Sequence, residues 1–290
     1  MIASENAPEH TSTSTRPAAR HSAPALHLSR PGGRVAYEVA GEGPLIVLVP
    51  GMGDLRSTYR LLAPMLRAAR YRVACTELRG HGDSDAAFAS YGDGESAGDI
   101  IALVEQLGAP AIVAGNSMGA GAAALAAAER PDLIQRLILI GPFVREASAG
   151  ALTRAMLRVA MARPWAARVW SAYMPKLYAG HLPEDFEQHR ARVAASMRLP
   201  GHSRAFAMTT RTRHSVVQER LGDVRAPVLT LMGELDPDFP DPAAEARWIA
   251  GALNAETVMV GQAGHYPQSQ QPEACASAIL SFLRSGAANA

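Results

Sequence analysis

The pattern of apolar and polar positions along the chain predicts an α/β protein. Short apolar runs recur, as expected of strands that are buried on both faces of a parallel sheet. Eight strands are predicted, over 25–28, 34–39, 45–49, 71–78, 111–114, 133–140, 227–232 and 256–260. Segments typical of helices follow most of them, at 57–69, 99–107, 121–128, 242–253 and 271–283. This repeated strand–helix order predicts a mostly parallel eight-stranded sheet with flanking helices on both faces.

The first two strands are expected to form an antiparallel edge of this sheet, because Pro31-Gly32-Gly33 between them is a hairpin turn signal. Residues 1–24 precede these strands and are rich in Ser, Thr, Ala and Pro, without the apolar stretch of a secretory signal. We therefore expect a disordered leader over 1–24 and a cytoplasmic protein.

Residues 143–220 interrupt the strand–helix pattern, since they contain no convincing strand. Helix-like blocks at 150–162, 164–179, 184–198 and 203–218 are separated by Pro or Gly. This pattern predicts a helical cap over 143–220, inserted into a core formed by 25–142 and 221–290. Over 144–218 the segment holds 12 Lys and Arg residues against four Asp and Glu residues, and it is rich in Met and Trp. The Met and Trp side chains either pack the cap onto the sheet or form a deformable apolar roof with a basic rim.

Composition excludes several classes of function. The net charge of +1 provides no basic surface for a nucleic acid, and no apolar run reaches the ~18 residues of a membrane span. The two cysteines, Cys75 and Cys275, form no disulfide framework. No dinucleotide fingerprint is present, and no cluster of His, Cys and carboxylate residues has metal-ligand spacing. We therefore expect a small-molecule substrate, with no cofactor, metal, nucleic acid or membrane span.

The strongest chemical signal is a serine between two glycines at the end of a predicted strand. Gly115-Asn116-Ser117-Met118-Gly119 follows the run 111–114 and precedes an alanine-rich helix. A G-x-S-x-G turn of this kind holds the serine in a strained conformation with its Oγ exposed, at a helix N-terminus that favours an oxyanion. Ser117 is therefore the candidate nucleophile. Its hydroxyl needs a base, because it is too weakly acidic to attack unaided.

His265 is the candidate base, since it alone among the histidines follows the last predicted strand in a short loop. A carboxylate is then needed to hold the imidazole tautomer. The acidic residues after the strand 227–232 are Glu234, Asp236, Asp238 and Asp241. For Asp238 a turn ahead of Phe239 is the alternative role, and for Asp241 a helix N-cap is the alternative.

Taken together, these motifs resemble the α/β-hydrolase superfamily over roughly residues 25–285. In chain order they are Pro50-Gly51-Met52-Gly53 after a strand, Leu78-Arg79-Gly80-His81-Gly82-Asp83-Ser84, the serine turn, and Gly233-Glu234-Leu235-Asp236 ahead of Gly264-His265. The family's order is serine, acid, histidine, and its spacing favours Asp236 as the acid. The resemblance therefore implies a catalytic triad of Ser117, Asp236 and His265.

The resemblance also implies an oxyanion hole made by the backbone N–H groups of Met52 and Met118. It further implies a substrate pocket lined by Gly51, Met52, Met118 and Tyr266. This chain has Pro50 and Asn116 where many members have His. Neither position supplies a triad group, so the implied chemistry is retained. The substrate preference of a relative is not carried over to this chain.

We predict a cofactor-free serine hydrolase that cleaves a carboxylic ester or related bond of a small apolar substrate through an acyl-enzyme. Three alternatives stay open: a C–C bond hydrolase of ring-cleavage products, a cofactor-free peroxidase, and a non-catalytic ligand-binding protein of the same fold. The serine turn also resembles that of the C–C hydrolases, which often carry Trp where this chain has Tyr266. The presence of all three triad residues argues against the non-catalytic alternative.

Overall fold

The computed structural model of the protein describes residues 25–146, 156, 159, 161–162 and 165–285. The predicted leader 1–24, most of the predicted helix 150–162 and the final residues 286–290 lie outside the described part of the chain.

An eight-stranded sheet forms the centre of the structure. Its strands are β1 (Leu26–Arg30), β2 (Gly33–Ala40), β3 (Leu45–Val49), β4 (Arg72–Thr76), β5 (Ala111–Asn116), β6 (Ile134–Ile140), β7 (Val228–Gly233) and β8 (Glu256–Val260). Their order across the sheet is β1-β2-β4-β3-β5-β6-β7-β8. The pairs β1–β2 and β2–β4 are antiparallel, and all the other pairs are parallel. The predicted mostly parallel sheet with an antiparallel N-terminal edge is confirmed.

Helices cover both faces of this sheet. In chain order the described helices are α1 (Leu62–Ala68), α2 (Asp93–Leu107), α3 (Met118–Glu129), α4 (Ala166–Leu177), α5 (Phe186–Met197), α6 (His202–Thr209), α7 (Ser215–Gln218), α8 (Pro242–Leu253), α9 (Pro267–Gln270) and α10 (Pro272–Ser285), with short 3-10 helices at Arg56–Tyr59 and Leu221–Asp223. None of the described helices is both long enough and apolar enough to cross a membrane.

The two apolar layers follow from the alternation of side chains along the buried strands. All five residues of β3 are buried. Val47 and Val49 belong to a cluster that contains the buried residues of α2 and α3, whereas Ile46 and Leu48 belong to a second cluster with those of α1 and α10. Because both faces of β3 are covered, its sequence is a continuous apolar run rather than an alternating one.

Two helices of the core have other bounds than predicted. The predicted helix 57–69 divides into a 3-10 helix and α1, and Pro64 lies in the first turn of α1, where its missing N–H costs no helical hydrogen bond. Helix α2 begins at Asp93 rather than at residue 99, although Gly94 and Gly98 lower helix propensity. Its buried face packs against α3, so tertiary contacts override the local preference.

Helices α4 to α7 lie between β6 and β7, and no strand occurs among the described residues of that segment. The predicted blocks 164–179 and 184–198 correspond to α4 and α5, whereas 203–218 divides into α6 and α7. A third apolar cluster joins these helices to Tyr266 of the core; its buried members include Met161, Trp170, Met174, Tyr178, Phe186, Met197 and Phe206. The Met and Trp side chains that belong to it therefore pack inside the protein, while Met156 and Trp165 are exposed.

We expect Leu48→Ala to destabilise the fold, because its fully buried side chain lies at the centre of the sheet. Truncating a buried leucine costs about 2–5 kcal/mol of unfolding free energy. Chemical denaturation, followed by circular dichroism, measures this loss. The exposed Leu182 is the matched control, and Leu182→Ala is expected to change stability by no more than about 0.5 kcal/mol. Equal losses in the two variants would contradict the described burial.

Candidate active site

Ser117 lies at the sharp turn between β5 and α3. Its backbone has φ of 56° and ψ of −124°, in the left-handed half of the map that side chains rarely adopt. Both flanking glycines are required by close packing. A Cβ atom on Gly115 would lie 2.2 Å from the carbonyl oxygen of Gly119, and one on Gly119 would lie 2.4 Å from that of Pro50. The turn therefore has the crowded, strained geometry that the sequence predicts.

Asp236 and His265 are joined by a buried hydrogen bond. Asp236 lies in the loop after β7, and His265 lies in the loop after β8. His265 Nδ1 donates to Asp236 Oδ2 at 2.8 Å, and both side chains are almost wholly excluded from solvent. This contact fixes the imidazole so that Nε2 is the nitrogen left for other partners.

Asn116 connects the serine turn to the histidine loop. Its side-chain Nδ2 donates to the carbonyl oxygen of Ile140 at 3.0 Å and to that of His265 at 3.1 Å. The Ser117 N–H donates to the same Ile140 oxygen at 2.9 Å. The Asn116 side chain thus joins the serine turn to the histidine loop. Among the described residues, the Ser117 hydroxyl has no hydrogen-bond partner.

A second carboxylate faces the other nitrogen of the imidazole. Asp238 Oδ2 lies 3.7 Å from His265 Nε2, and Asp238 Oδ1 accepts a hydrogen bond of 2.9 Å from the Tyr173 hydroxyl of α4. The Asp238 N–H also donates to Asp236 Oδ1 at 3.0 Å. The sequence offered Asp238 either as a candidate acid or as a turn residue, because it does not show which way the carboxylate points.

Asp236, Asp238 and His265 are also the one group among the described residues whose potential metal ligands lie within 4.8 Å of one another. The spacing along the sequence predicted no such cluster, and the fold forms it by bringing two loops together. Within this group, His265 Nδ1 is already bonded to Asp236.

These charges change the acidity of His265. Burial by itself lowers the pKa of the imidazole, because it disfavours the charged form. The negative charges of Asp236 and Asp238 outweigh that effect and raise the pKa of His265 to about 9. The site therefore favours an imidazolium at neutral pH in the absence of substrate.

The loop of residues 50–54, between β3 and the first 3-10 helix, packs directly on the serine. A Cβ atom on Gly51 would lie 2.8 Å from Ser117 Cβ, so only glycine permits this approach. Within the described residues the Met52 N–H has no acceptor, and Met118 begins α3, where N–H groups have no partner within the helix. Among the residues that the structure describes, two N–H groups on the backbone segments that meet at Ser117 therefore have no acceptor.

The remaining predicted pocket residues lie around this junction. The Met118 side chain is buried in the core cluster of α2 and α3, and Met52 is partly buried against both that cluster and the helices of the 143–220 segment. Tyr266 is buried and stacks on Tyr178, with ring centres 4.7 Å apart. That these side chains line a substrate pocket stays a prediction.

His81 supports the 50–54 loop from the side of the core. Its Nδ1–H donates to the carbonyl oxygen of Arg79 at 3.0 Å, and its Nε2 accepts from the Gly53 N–H at 3.0 Å. Burial lowers the pKa of His81 to about 4, so the ring is neutral and can accept at Nε2. The glycine-rich turn that contains His81 therefore supports the backbone of the 50–54 loop.

With this geometry established, comparison with known proteins identifies the family. The family model described as "Alpha/beta hydrolase family" matches residues 46–278. The chain belongs to the alpha/beta hydrolase family.

Relatives and solved structures agree with that assignment. The chain is 29% identical over 262 residues to 2-(acetamidomethylene)succinate hydrolase of Mesorhizobium japonicum, a match that covers 87% of this chain and 92% of the relative. It is 28% identical over 265 residues to 2-hydroxy-6-oxo-6-phenylhexa-2,4-dienoate hydrolase of Comamonas testosteroni, covering 86% and 91% of the two chains. A hydrolase from Pseudomonas aeruginosa superposes with a TM-score of 0.77 at 23% identity, over 91% of this chain and 99% of that one. These comparisons support a hydrolase of the alpha/beta hydrolase family.

Several residues of this alpha/beta hydrolase reach the candidate site without any signal in the sequence. Trp170 and His189 come from helices of the 143–220 segment, and Asp54 is buried although its neighbours in sequence are loop residues. Asn116 belongs to the serine motif, but the sequence did not predict which groups its side chain contacts. Each of these roles depends on a partner far away along the chain, which a local pattern does not reveal.

We expect Asp238→Asn to lower the pKa of His265 in this alpha/beta hydrolase, because it removes one of the negative charges that favour the imidazolium. An NMR titration of the His265 ring, with Ser117→Ala as an assignment aid, measures the shift. Glu234→Gln removes an exposed carboxylate two residues from Asp236 and should leave that pKa unchanged. An unchanged pKa in Asp238→Asn would show that this carboxylate does not act on the imidazole.

Proposed function

We propose that the protein is a serine hydrolase that cleaves a carboxylic ester or related acyl bond of a small apolar substrate. The observation that carries the proposal is the buried 2.8 Å hydrogen bond between Asp236 and His265, beside a serine on a glycine-flanked strand–helix turn. A carboxylate at Nδ1 leaves Nε2 as the nitrogen that can take the proton of a serine hydroxyl.

In this mechanism Ser117 Oγ attacks the acyl carbon while His265 Nε2 accepts the hydroxyl proton. The tetrahedral intermediate collapses when its bond to the leaving group breaks, and Nε2 returns the proton to the departing oxygen. The product of this half-reaction is an acyl-enzyme on Ser117. Water then attacks the acyl carbon and loses its proton to Nε2, the bond to Ser117 Oγ breaks, and Oγ recovers the proton from Nε2 as the carboxylic acid leaves.

The negative charge of the tetrahedral intermediate needs donors that are already in place. The N–H groups of Met52 and Met118 are the proposed donors, because they lie on the two backbone segments that meet at Ser117. Loss of one such donor typically lowers kcat by about 10²–10³. The close approach of Gly51 to Ser117 supports this assignment, since it keeps the loop within reach of the reacting carbon.

His265 can act as a base only as a neutral imidazole. Because its pKa is raised to about 9, the neutral fraction increases as the pH rises towards that value. Asp236 and Asp238 also stabilise the imidazolium that forms when Ser117 is deprotonated. The two carboxylates therefore reduce the fraction of neutral imidazole in the free enzyme, and they also lower the energy of the intermediate that contains the imidazolium.

The surroundings of the site support an apolar substrate. The described side chains next to the histidine include Phe143, whose ring centre lies 5.7 Å from that of His265, and Tyr266, at 5.2 Å. A hydrocarbon group buried against such rings gains about 0.8 kcal/mol for each methylene.

A C–C bond hydrolase is the second candidate, and one comparison favours it specifically. The relative named 2-hydroxy-6-oxo-6-phenylhexa-2,4-dienoate hydrolase is similar to this chain, and the match covers 86% of this chain. The same serine, histidine and aspartate would serve that reaction, so the type of bond is decided by the substrate that fits.

We expect a fluorophosphonate probe to label Ser117, because the probe reacts with an activated serine. Labelling should be absent in Ser117→Ala and slower by about 10⁴ in Asp236→Asn, as for other orienting carboxylates. Glu234→Gln is the control and should label at the normal rate. Stoichiometric labelling that persists in Ser117→Ala would contradict the assignment of the nucleophile.

We expect kcat/KM for p-nitrophenyl esters to rise several-fold as the acyl chain grows by one or two methylenes, and then to fall for long chains. The rise follows from about 0.8 kcal/mol per buried methylene, and the fall is the result expected of a pocket that the inserted helices close. A series from acetyl to palmitoyl measures it, with a ring-cleavage dienoate assayed in parallel. Turnover of the dienoate alone would favour the C–C hydrolase, and a steady rise to palmitoyl would contradict a closed pocket.

A further inference from the structure

We propose that the helices of the 143–220 segment position the 50–54 loop, so that Trp170 and His189 act as positioning residues for the reaction. The effect on turnover rests on the proposed function, in which Met52 of this loop donates to the oxyanion. The restraint on the loop itself rests only on contacts between described residues.

Trp170 of α4 holds the carbonyl side of Gly53. Its indole Nε1–H donates to the Gly53 oxygen at 2.7 Å, and the bond is buried. The ring also packs directly against Gly53, since a Cβ atom there would lie only 2.5 Å from the indole. Gly53 has φ of 73°, which other residues rarely adopt, so both its conformation and its neighbour require glycine.

The amide side of Gly53 is held from the opposite direction. Its N–H donates to the buried Nε2 of His81, which belongs to the core. Gly53 is therefore bound through both of its backbone polar groups, to the core on one side and to α4 on the other. The residue before it is Met52, whose N–H has no acceptor among the described residues.

A buried hydrogen bond forms the second attachment. His189 Nε2 of α5 donates to Asp54 Oδ1 at 2.8 Å, and both side chains are fully buried. His189 Nδ1 lies 3.3 Å from Ser57 Oγ. Asp54 Oδ1 also accepts from the Leu55 N–H at 2.7 Å, and among the described residues Oδ2 has no hydrogen-bond partner although it is buried. Removing His189 would take a hydrogen bond away from a buried carboxylate, which is unfavourable.

Helix α4, which carries Trp170, also bonds to the loop that carries His265. The His265 N–H donates to the carbonyl oxygen of Leu177, at the end of α4, at 2.8 Å. Helix α4 is thus bonded to the loop that contacts Ser117 and to the loop that carries the base. Displacement of α4 would move both loops, and a misplacement of about 1 Å can cost 10²-fold in rate.

Trp170→Phe is the main test, because it keeps an aromatic ring and removes the N–H donor. We expect kcat for p-nitrophenyl acetate and the rate of fluorophosphonate labelling each to fall about tenfold or more, with KM changed by less than about threefold. Hydrogen exchange of a peptide over 50–55 should become faster, while exchange elsewhere stays the same. A general loss of stability would instead speed exchange throughout the protein.

Trp165→Phe is the matched control, since Trp165 is exposed at the start of the same helix and its indole N–H donates to the carbonyl oxygen of Val159. This variant should retain normal turnover, labelling and exchange. Normal rates and normal exchange in Trp170→Phe would overturn the proposal. If the wild-type protein neither turns over an ester nor reacts with the probe, the proposed function fails, while the exchange data still test the restraint on the loop.

His189 variants give an independent test should Trp170→Phe fail to fold. His189→Gln keeps an N–H that can reach Asp54, whereas His189→Leu removes this donor from the buried carboxylate. We expect labelling by the probe to be nearer normal in the Gln variant and at least tenfold slower in the Leu variant. Equal labelling rates, or equal exchange of the 50–55 peptide, would overturn the role assigned to His189.

Discussion

The hydrogen bond between Asp236 and His265 is the interaction on which the rest of the site depends. It is buried, so its electrostatic effect is little weakened by solvent. It selects the tautomer of the imidazole and directs Nε2 away from Asp236. In the proposed mechanism, the serine turn, the 50–54 loop and the second carboxylate all act on the group that this nitrogen serves.

Close backbone packing is the second constraint. Gly51, Gly115 and Gly119 all occupy positions where a Cβ atom would overlap neighbouring atoms. These contacts bring β3, β5 and α3 together at one point, at the carboxyl ends of the parallel strands. Sites of alpha/beta sheets commonly lie at such ends, because loops from neighbouring strands converge there. The motif glycines therefore serve packing, and the chemistry follows from it.

The segment between β6 and β7 makes hydrogen bonds to several loops of the candidate site. Trp170 and His189 bond to the 50–54 loop, Tyr173 bonds to Asp238, and Leu177 accepts from the His265 N–H. The described helices α4 and α5 thus contact each loop that the proposed mechanism uses, apart from the serine turn itself. In this arrangement the apolar cluster around Tyr266 fixes the helices, and the helices in turn fix the loops.

The sequence by itself determined the α/β class, the mostly parallel sheet with its antiparallel edge, and the family, because these depend on local patterns. Apolar runs identify buried strands, and the glycines around Ser117 mark a turn that few other residues permit. Only the tertiary structure decided that Asp238 faces His265 Nε2 and that Asn116 bonds to the His265 carbonyl. It alone also revealed the Asp54–His189 pair and the bond from Trp170 to Gly53. One physical reason explains why the sequence does not predict these contacts. Each contact joins groups that are distant in sequence, and the direction of a side chain is fixed by packing rather than by its neighbours along the chain.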